Sequence, residues 1–306
     1  MSSFLNSDKI YTYDIETLPN LFSCVVKHLS SRQRWIFEVS DWCNNAPQFV
    51  SFLHALNVHD CRMVGFNNFY FDWQVIEHLL AIGPTFTAAN AYQKADQLIN
   101  GNRDTNFRST IWGNDHKVKQ IDLYLIHHFD NFAKSTSLKE TEFNMRSANI
   151  GDLPFVPGEL ITADKRGEII RYNCHDVDET EKFAEFSAPM IDFRQELIGS
   201  MGYDVMNYND TKIGKKFFEQ ELRSRAPHLL GTGRNKKQTH RSSINLADVI
   251  IPSIEFSTPQ LQSLLTYLKN TTLTKTKAPP ELKDVSVTLN GFTMHVGAGG
   301  GHGSVD

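Results

Sequence analysis

The residues best placed to do chemistry begin in the stretch Tyr11-Thr-Tyr-Asp-Ile-Glu-Thr17. Tyr11, Tyr13 and Ile15 alternate with Thr12, Asp14 and Glu16, the period-two pattern of a β-strand. Residues two apart on a strand share a face, so Asp14 and Glu16 project side by side. Neighbouring carboxylates in an apolar strand repel and are costly to bury, but divalent cations, which take oxygen ligands, turn that pair into a site. Two more acids have the right company. Asp72 ends Asn67-Asn-Phe-Tyr-Phe-Asp72, at the start of an expected helix that follows a strand, and Asp176 ends Tyr172-Asn-Cys-His-Asp176 on a late helix. Tyr172 is four residues before Asp176, on the same helical face. Four carboxylates from three segments can bind two divalent ions about 3.5–4 Å apart. One ion lowers the pKa of a bound water, the other stabilises the leaving oxygen of a phosphodiester, and the Tyr172 hydroxyl can orient the attacking water.

The elements that must position these groups read as an α/β domain. After the first strand, Leu21–Leu29 and Gln33–Val39 form a meander around a turn at Ser30–Arg32, and Ala46–Leu56 has helical spacing. Cys61–Phe66 is a short strand, Phe71–Ile82 a helix stopped by Gly83-Pro84, and Ala88–Leu98 a weaker helical pattern. Gln120–Ile126 reads as a strand with Asp122 and Tyr124 on one face, Ser135–Glu142 as a short capped helix, Gly151–Pro157 as turns, and Glu159–Ala188 as one long helix. A boundary is expected near Ser187–Phe193. Beyond it come a helix at Asp210–Leu222, a basic loop at Gly231–Arg241, a helix at Thr258–Asn270, a linker at Thr271–Pro280, a hairpin at Val285–Val296 turning on Asn290-Gly291, and a glycine-rich end at Gly297–Ser304.

Asp-Ile-Glu-Thr, Asn-x-x-x-Phe-Asp and Tyr-x-x-x-Asp, in this order, resemble the three motifs of proofreading 3′–5′ exonucleases, most closely those of bacteriophage family B-type DNA polymerases. The resemblance covers about residues 8–190. It implies an RNase H-like fold with a mixed central sheet flanked by helices. Asp14, Glu16, Asp72 and Asp176 would be ligands to two Mg²⁺ or Mn²⁺ ions, and Tyr172 would orient water; Arg171 stands where the histidine subclass carries its histidine. Leu18 would wedge against the terminal base, either Asn67 or Asn68 would touch the strand, Phe69 would stack on it, and Lys139 would contact phosphate. The implied partners are single-stranded DNA or primer-template 3′ ends, with a polymerase domain in cis or in trans. Gly297-Ala-Gly-Gly-Gly-His302 is similar to a Gly-Gly-x-His stretch of some phage polymerases, yet the palm signatures that follow it there are absent. The expected division is an exonuclease domain over 1–190 and a smaller α+β part over 191–306.

Composition sets outer bounds. At 306 residues with 40% hydrophobic and 22% charged content, the chain has the make-up of a soluble globular protein, without a membrane-length apolar run or a signal peptide. Cys24, Cys43, Cys61 and Cys174 have no C-x-x-C spacing, which argues against a cysteine zinc site and for reduced thiols in a cytoplasm. Net charge is −4, but residues 196–306 carry 13 basic and 10 acidic side chains while the rest carry 18 and 25. An acidic first part is a poor non-specific nucleic-acid binder unless its carboxylates hold metals. Gly231–Lys237 lacks the spacing of a nucleotide-binding loop. His127, His128 and His175 could be metal ligands but are more simply packed or solvated, and Asp178 and Glu179 are expected to form a wet helix face. Competing expectations are an exoribonuclease of the same superfamily, a catalytically idle nucleic-acid-binding scaffold, and an RNase H-like endonuclease.

Overall fold

The computed structural model describes residues 4–151, 154–156, 158–229, 241–275, 285–289, 291–297 and 300–305. Strands β1 (Ile10–Leu18), β2 (Leu21–His28) and β3 (Arg34–Ser40) form an antiparallel meander, with Arg32 at a positive φ of 61° in the second turn. Helix α1 (Ala46–Val58) returns the chain to β4 (Arg62–Gly65), which pairs parallel to β1. Helices α2 (Asp72–Ile82), α3 (Ala88–Asn100) and α4 (Arg103–Ser109) precede β5 (Lys119–Asp122), parallel to β4. The five-stranded mixed sheet has the order β3-β2-β1-β4-β5. Short helices α5 (Leu123–Ile126) and α6 (Leu138–Asn144) lead to α7 (Arg166–Phe186), α8 (Ala188–Met201) and α9 (Asp210–Arg225).

Alternation along β1 divides the core in two. Tyr13, Ile15, Phe22 and Phe37 pack with Phe49, Trp73 and Ile76 from the helices of one face and with Phe86 from the loop between α2 and α3. Ile10, Val64 and Ile121 pack with Phe183, Ile191 and Met206 on the other. The chain is therefore an α/β protein with a sheet covered by helices on both sides, as expected.

Several boundaries differ from the sequence reading. Gln120–Ile126 is a strand only to Asp122, because the Asp122 carboxylate accepts from the Tyr124 and Leu125 N–H groups and starts a helix instead. Tyr124 consequently does not share a strand face with Asp122. The long helix begins at Arg166 and not at Glu159. Asn20 holds Ile161 from both sides, its amide accepting from the Ile161 N–H at 3.1 Å and donating to the Ile161 carbonyl at 3.0 Å, which takes that residue's backbone groups out of a helical ladder.

The expected boundary near 190 is a junction between two helices. The first compact unit runs to Arg225, and the second covers 226–306. Arg194, 1% exposed, explains the continuity: its guanidinium donates to the carbonyls of Met190, Tyr208 and Ile126 and pairs with Asp210 at 2.7 Å. Asn207 adds a second tie. Its Nδ2 donates to the Gln120 carbonyl at 2.9 Å and its Oδ1 accepts from the Asp122 N–H at 2.7 Å, so one side-chain amide stands in for a neighbouring strand on edge strand β5.

In the second unit, β6 (Ile244–Asn245) pairs with β7 (Thr272–Leu273), on either side of α10 (Pro259–Lys269). Strands β8 (Val285–Leu289) and β9 (Phe292–Gly297) form the expected hairpin with Leu289 opposite Phe292. The glycine-rich end adds a third strand, β10 (Gly300–Val305), antiparallel to β9. The basic loop over 231–240 and turn residue Asn290 lie outside the described residues. Among the described residues no helix is long and apolar enough to cross a membrane.

Replacing Asn207 with alanine leaves the Gln120 carbonyl and the Asp122 N–H without their partner. Urea unfolding of N207A is expected to show a loss of about 2 kcal/mol relative to the parent.

Candidate active site

Asp14 and Glu16 stand on the face of β1 that α7 covers, opposite the face that buries Tyr13 and Ile15. Helix α7 brings Asp176 to them: one ligand oxygen from each of Asp14, Glu16 and Asp176 lies within 4.8 Å of the others. The helix is fixed by ion pairs to the meander. Lys27 bridges Asp178 at 2.6 Å and Glu181 at 2.5 Å, Arg34 reaches Asp178, and Arg32 reaches Glu181 and Glu185. Asp178 is therefore engaged, though its side chain stays 38% exposed as a wet helix face requires; Glu179, 2% exposed, takes bonds from Ser147 and Lys182 and does not belong to such a face.

Asp72 comes from the opposite layer. The pairing of β1 with β4 ends at Thr12, and beyond it the Asp72 carboxylate accepts from the Ile15 N–H and from its own. Its position at the first turn of α2 also suits a negative charge. The loop before it, Asn67–Phe71, is held by Asp122, which is fully buried and accepts from the N–H groups of Asn67 at 3.0 Å and Phe69 at 2.9 Å. Asp122 thus acts on this loop and on α5 at once, a role that its sequence setting did not disclose.

The electrostatics record mutual repulsion. Burial raises the Asp14 pKa well above the usual carboxylate range, and the charges of Asp72, Asp176 and Glu16 raise it further; the Asn173 amide, donating to its Oδ2 at 2.7 Å, works the other way. Glu16 is pushed up to about 8 by burial and then by Asp176 and Asp72. Asp72 rises to about 7 and Asp176 to about 6, chiefly by burial. The Tyr172 hydroxyl hydrogen-bonds to Asp176, and burial beside these acids raises its pKa, so the phenol keeps its proton and serves as a donor. Lys139 opposes the acids, drawing down Glu16 and Asp176 from a position with its ammonium 5.9 Å from the centre of the Tyr172 ring. Helix α6, which carries it, opens with a reciprocal cap between Ser137 and Glu140.

The all-oxygen donor set of Asp14, Glu16 and Asp176 fits a hard divalent cation such as Mg²⁺ or Mn²⁺, and their shared burial gives the protein a reason to bind one. Asn173, fully buried and fixing the Asp14 carboxylate, is the further member that sequence reading passed over. Its place three residues before Asp176, on the same stretch of helix, was the one signal that could have found it.

The expected nucleic-acid contacts fare differently. Leu18 is 2% exposed and packs with Leu21, Ile161 and Ile169, so it is a core residue and not a free wedge. Asn68 is fully buried, with its Cβ against Gly65 and its amide on Gln120 at 2.9 Å; of the two asparagines only Asn67, at φ 59°, retains partial exposure. Phe69 is 7% exposed and lies 4.7 Å from the His116 ring centre, so most of its ring is covered by the protein. Tyr70 is the more exposed aromatic of that loop, and with Phe69, Trp112, Tyr208 and Lys212 it lines a cavity of about 250 Å³ to which none of the four acids contributes. Lys139 stays partly exposed beside the carboxylates. In comparisons with known proteins, no family model matches this chain and no curated protein matches it.

The raised carboxylate pKa values have a thermodynamic consequence. Without metal, the folded protein holds more protons on these acids than the unfolded chain does, so stability falls as pH rises through their folded-state values. Below about pH 6.5 the buried His116 and the partly buried His78 and His127, with pKa values lowered by desolvation, act in the opposite sense. In EDTA, the melting temperature is therefore expected to drop between about pH 6.5 and pH 8, and Mn²⁺ to restore it at pH 8. Asp14→Asn should raise the metal-free melting temperature at pH 8 and shrink the Mn²⁺ response, both read by differential scanning fluorimetry.

Proposed function

We propose that this protein is a metal-dependent 3′–5′ exonuclease with an RNase H-like fold, hydrolysing single-stranded DNA or frayed primer 3′ ends to nucleoside monophosphates. The observation that carries this reading is the convergence of Asp14, Glu16 and Asp176, with Tyr172 bonded to Asp176 and Asp72 coupled to Asp14 from the opposite layer. Three segments distant in sequence supply these groups in the order in which the motifs of proofreading exonucleases run. Asp14, Glu16, Asp72 and Asp176 would hold two divalent cations, Mg²⁺ or Mn²⁺, which supply Lewis acidity to the phosphate and an activated water.

The side chains have separate tasks. Asn173 sets the direction of the Asp14 carboxylate, and the Ile15 N–H that of Asp72. Tyr172, kept protonated, donates to Asp176 and leaves its oxygen lone pair to accept from the attacking water; it orients that water and does not deprotonate it. Lys139 brings a positive charge beside the acids, where a phosphate would approach. With Leu18, Asn68 and Phe69 packed inside, the strand would be held through Asn67, Lys139 and the exposed Tyr70.

The test is a time course on 5′-labelled single-stranded DNA, with an RNA strand of the same sequence and a closed circle alongside. Shortening of DNA from the 3′ end, abolished by EDTA and by Asp14→Ala/Glu16→Ala, is the expected result. Binding without shortening in either Mg²⁺ or Mn²⁺ would leave a scaffold. Faster RNA trimming would move the substrate to RNA, and nicking of the circle would mark an endonuclease. Tyr172→Phe is expected to lower kcat by about 10²-fold or more while leaving the Mn²⁺-induced rise in melting temperature intact.

A further inference from the structure

A second group of ligating atoms adjoins the first but is chemically unlike it. A carboxylate oxygen of Glu142, an imidazole nitrogen of His175 and an oxygen of Asp176 also lie within 4.8 Å of one another. Glu142 comes from α6 and is fully buried, while His175 and Asp176 come from α7. His175 Nε2 is 3.2 Å from Glu142 Oε2. The other oxygen, Glu142 Oε1, is buried without a hydrogen-bond partner. A carboxylate oxygen in that condition loses its hydration with nothing in exchange, and a cation is the partner that would restore the balance.

His175 differs from His127 and His128 in that its partner belongs with it to a cluster of three ligating groups. His127 Nε2 is occupied by the Ser187 hydroxyl and its ring stacks 4.7 Å from that of Phe183; His128 Nδ1 is taken by Asp130 and Asn209. The His175 ring is also seated closely: a Cβ on Gly151 would come within 3.2 Å of its Cδ2. Donors about 2.1 Å from a common ion stand about 3–4 Å from each other, so small side-chain shifts suffice to close this set on a metal.

We propose that Glu142, His175 and Asp176 form a distinct site for a first-row transition-metal dication of the Zn²⁺ or Co²⁺ kind. The imidazole sets the selectivity, since nitrogen donors suit Zn²⁺ and Co²⁺ and are poor for Mg²⁺, which prefers oxygen and retains its waters. Two carboxylates balance the charge of the ion. Asp176 belongs to both groups, so an ion here would take one of the oxygens available to the first cluster. The site itself does not depend on nuclease activity.

Co²⁺ is the probe, titrated into the full chain and followed by visible absorption and by the paramagnetically shifted, exchangeable imidazole N–H proton in ¹H NMR. The expected result is a histidine-ligated Co²⁺ that persists in a large excess of Mg²⁺ and in the Asp14→Asn/Glu16→Gln variant. His175→Gln and the near-isosteric Glu142→Gln are each expected to weaken it by about tenfold or more. Absence of the imidazole signal in the parent, its loss in Asp14→Asn/Glu16→Gln, or unchanged affinity in the folded variants, as judged by circular dichroism, would overturn the proposal and leave His175 and Glu142 as a hydrogen-bonded pair. Cleavage of DNA in Mg²⁺ is read separately, so either assignment can fail without the other.

Discussion

The first compact unit is governed by a repulsion. Asp14, Glu16 and Asp176 hold oxygens within 4.8 Å of one another, and Asp72 joins them from the opposite layer, in surroundings that raise the pKa of all four. Such an arrangement persists only if the elements bearing the acids cannot move apart. Helix α7 is bound to the meander through Lys27, Arg32 and Arg34, cations that pair with Asp178, Glu181 and Glu185 while leaving Asp176 to the cluster. Asp72 is anchored to the Ile15 N–H on the same strand that carries Asp14 and Glu16. Fold stability is thus directed toward keeping an unfavourable set of charges together, the usual condition of a site made for a cation or a charged transition state.

A buried polar network behind the cluster supplies the rigidity that apolar packing does not. Gln120 accepts from both the Tyr13 hydroxyl and the Asn68 amide, and Asp122 gathers four N–H groups from the loop after β4 and from α5. These residues lie at the ends of parallel strands, where loops converge on an α/β sheet and where binding sites commonly form. The network links the position of Asp72 to that of β5 through the Asn67–Phe71 loop, so the one acid of the four that comes from α2 is set by hydrogen bonds and not by side-chain rotamers alone.

Much of this was legible in the sequence where local periodicity and tertiary role agree. The alternation of Tyr13 and Ile15 with Asp14 and Glu16 specified both the strand and its acidic face, and the four-residue spacing of Tyr172 and Asp176 placed them together on α7. The misreadings have a shared cause. Asp122 ended a strand and Asn20 delayed a helix by side-chain bonds to backbone groups, effects that leave no trace in hydrophobic pattern. Leu18, Asn68 and Phe69 follow or precede acids in their motifs, but proximity in sequence does not say which neighbours face outward; burial decided that. Arg194 gives no sequence hint of being 1% exposed, because four acceptors from separate elements must converge before a guanidinium can be enclosed.

The amide of Asn207 that completes the edge of β5 has a meaning for inheritance and engineering. A sheet whose last strand borrows its neighbour from residue 207 is not a self-sufficient cassette ending at 190. The segment able to be exchanged between proteins, duplicated or fused to another chain extends through Arg225, and a graft cut earlier would carry the acidic strand without the clasp that closes its sheet.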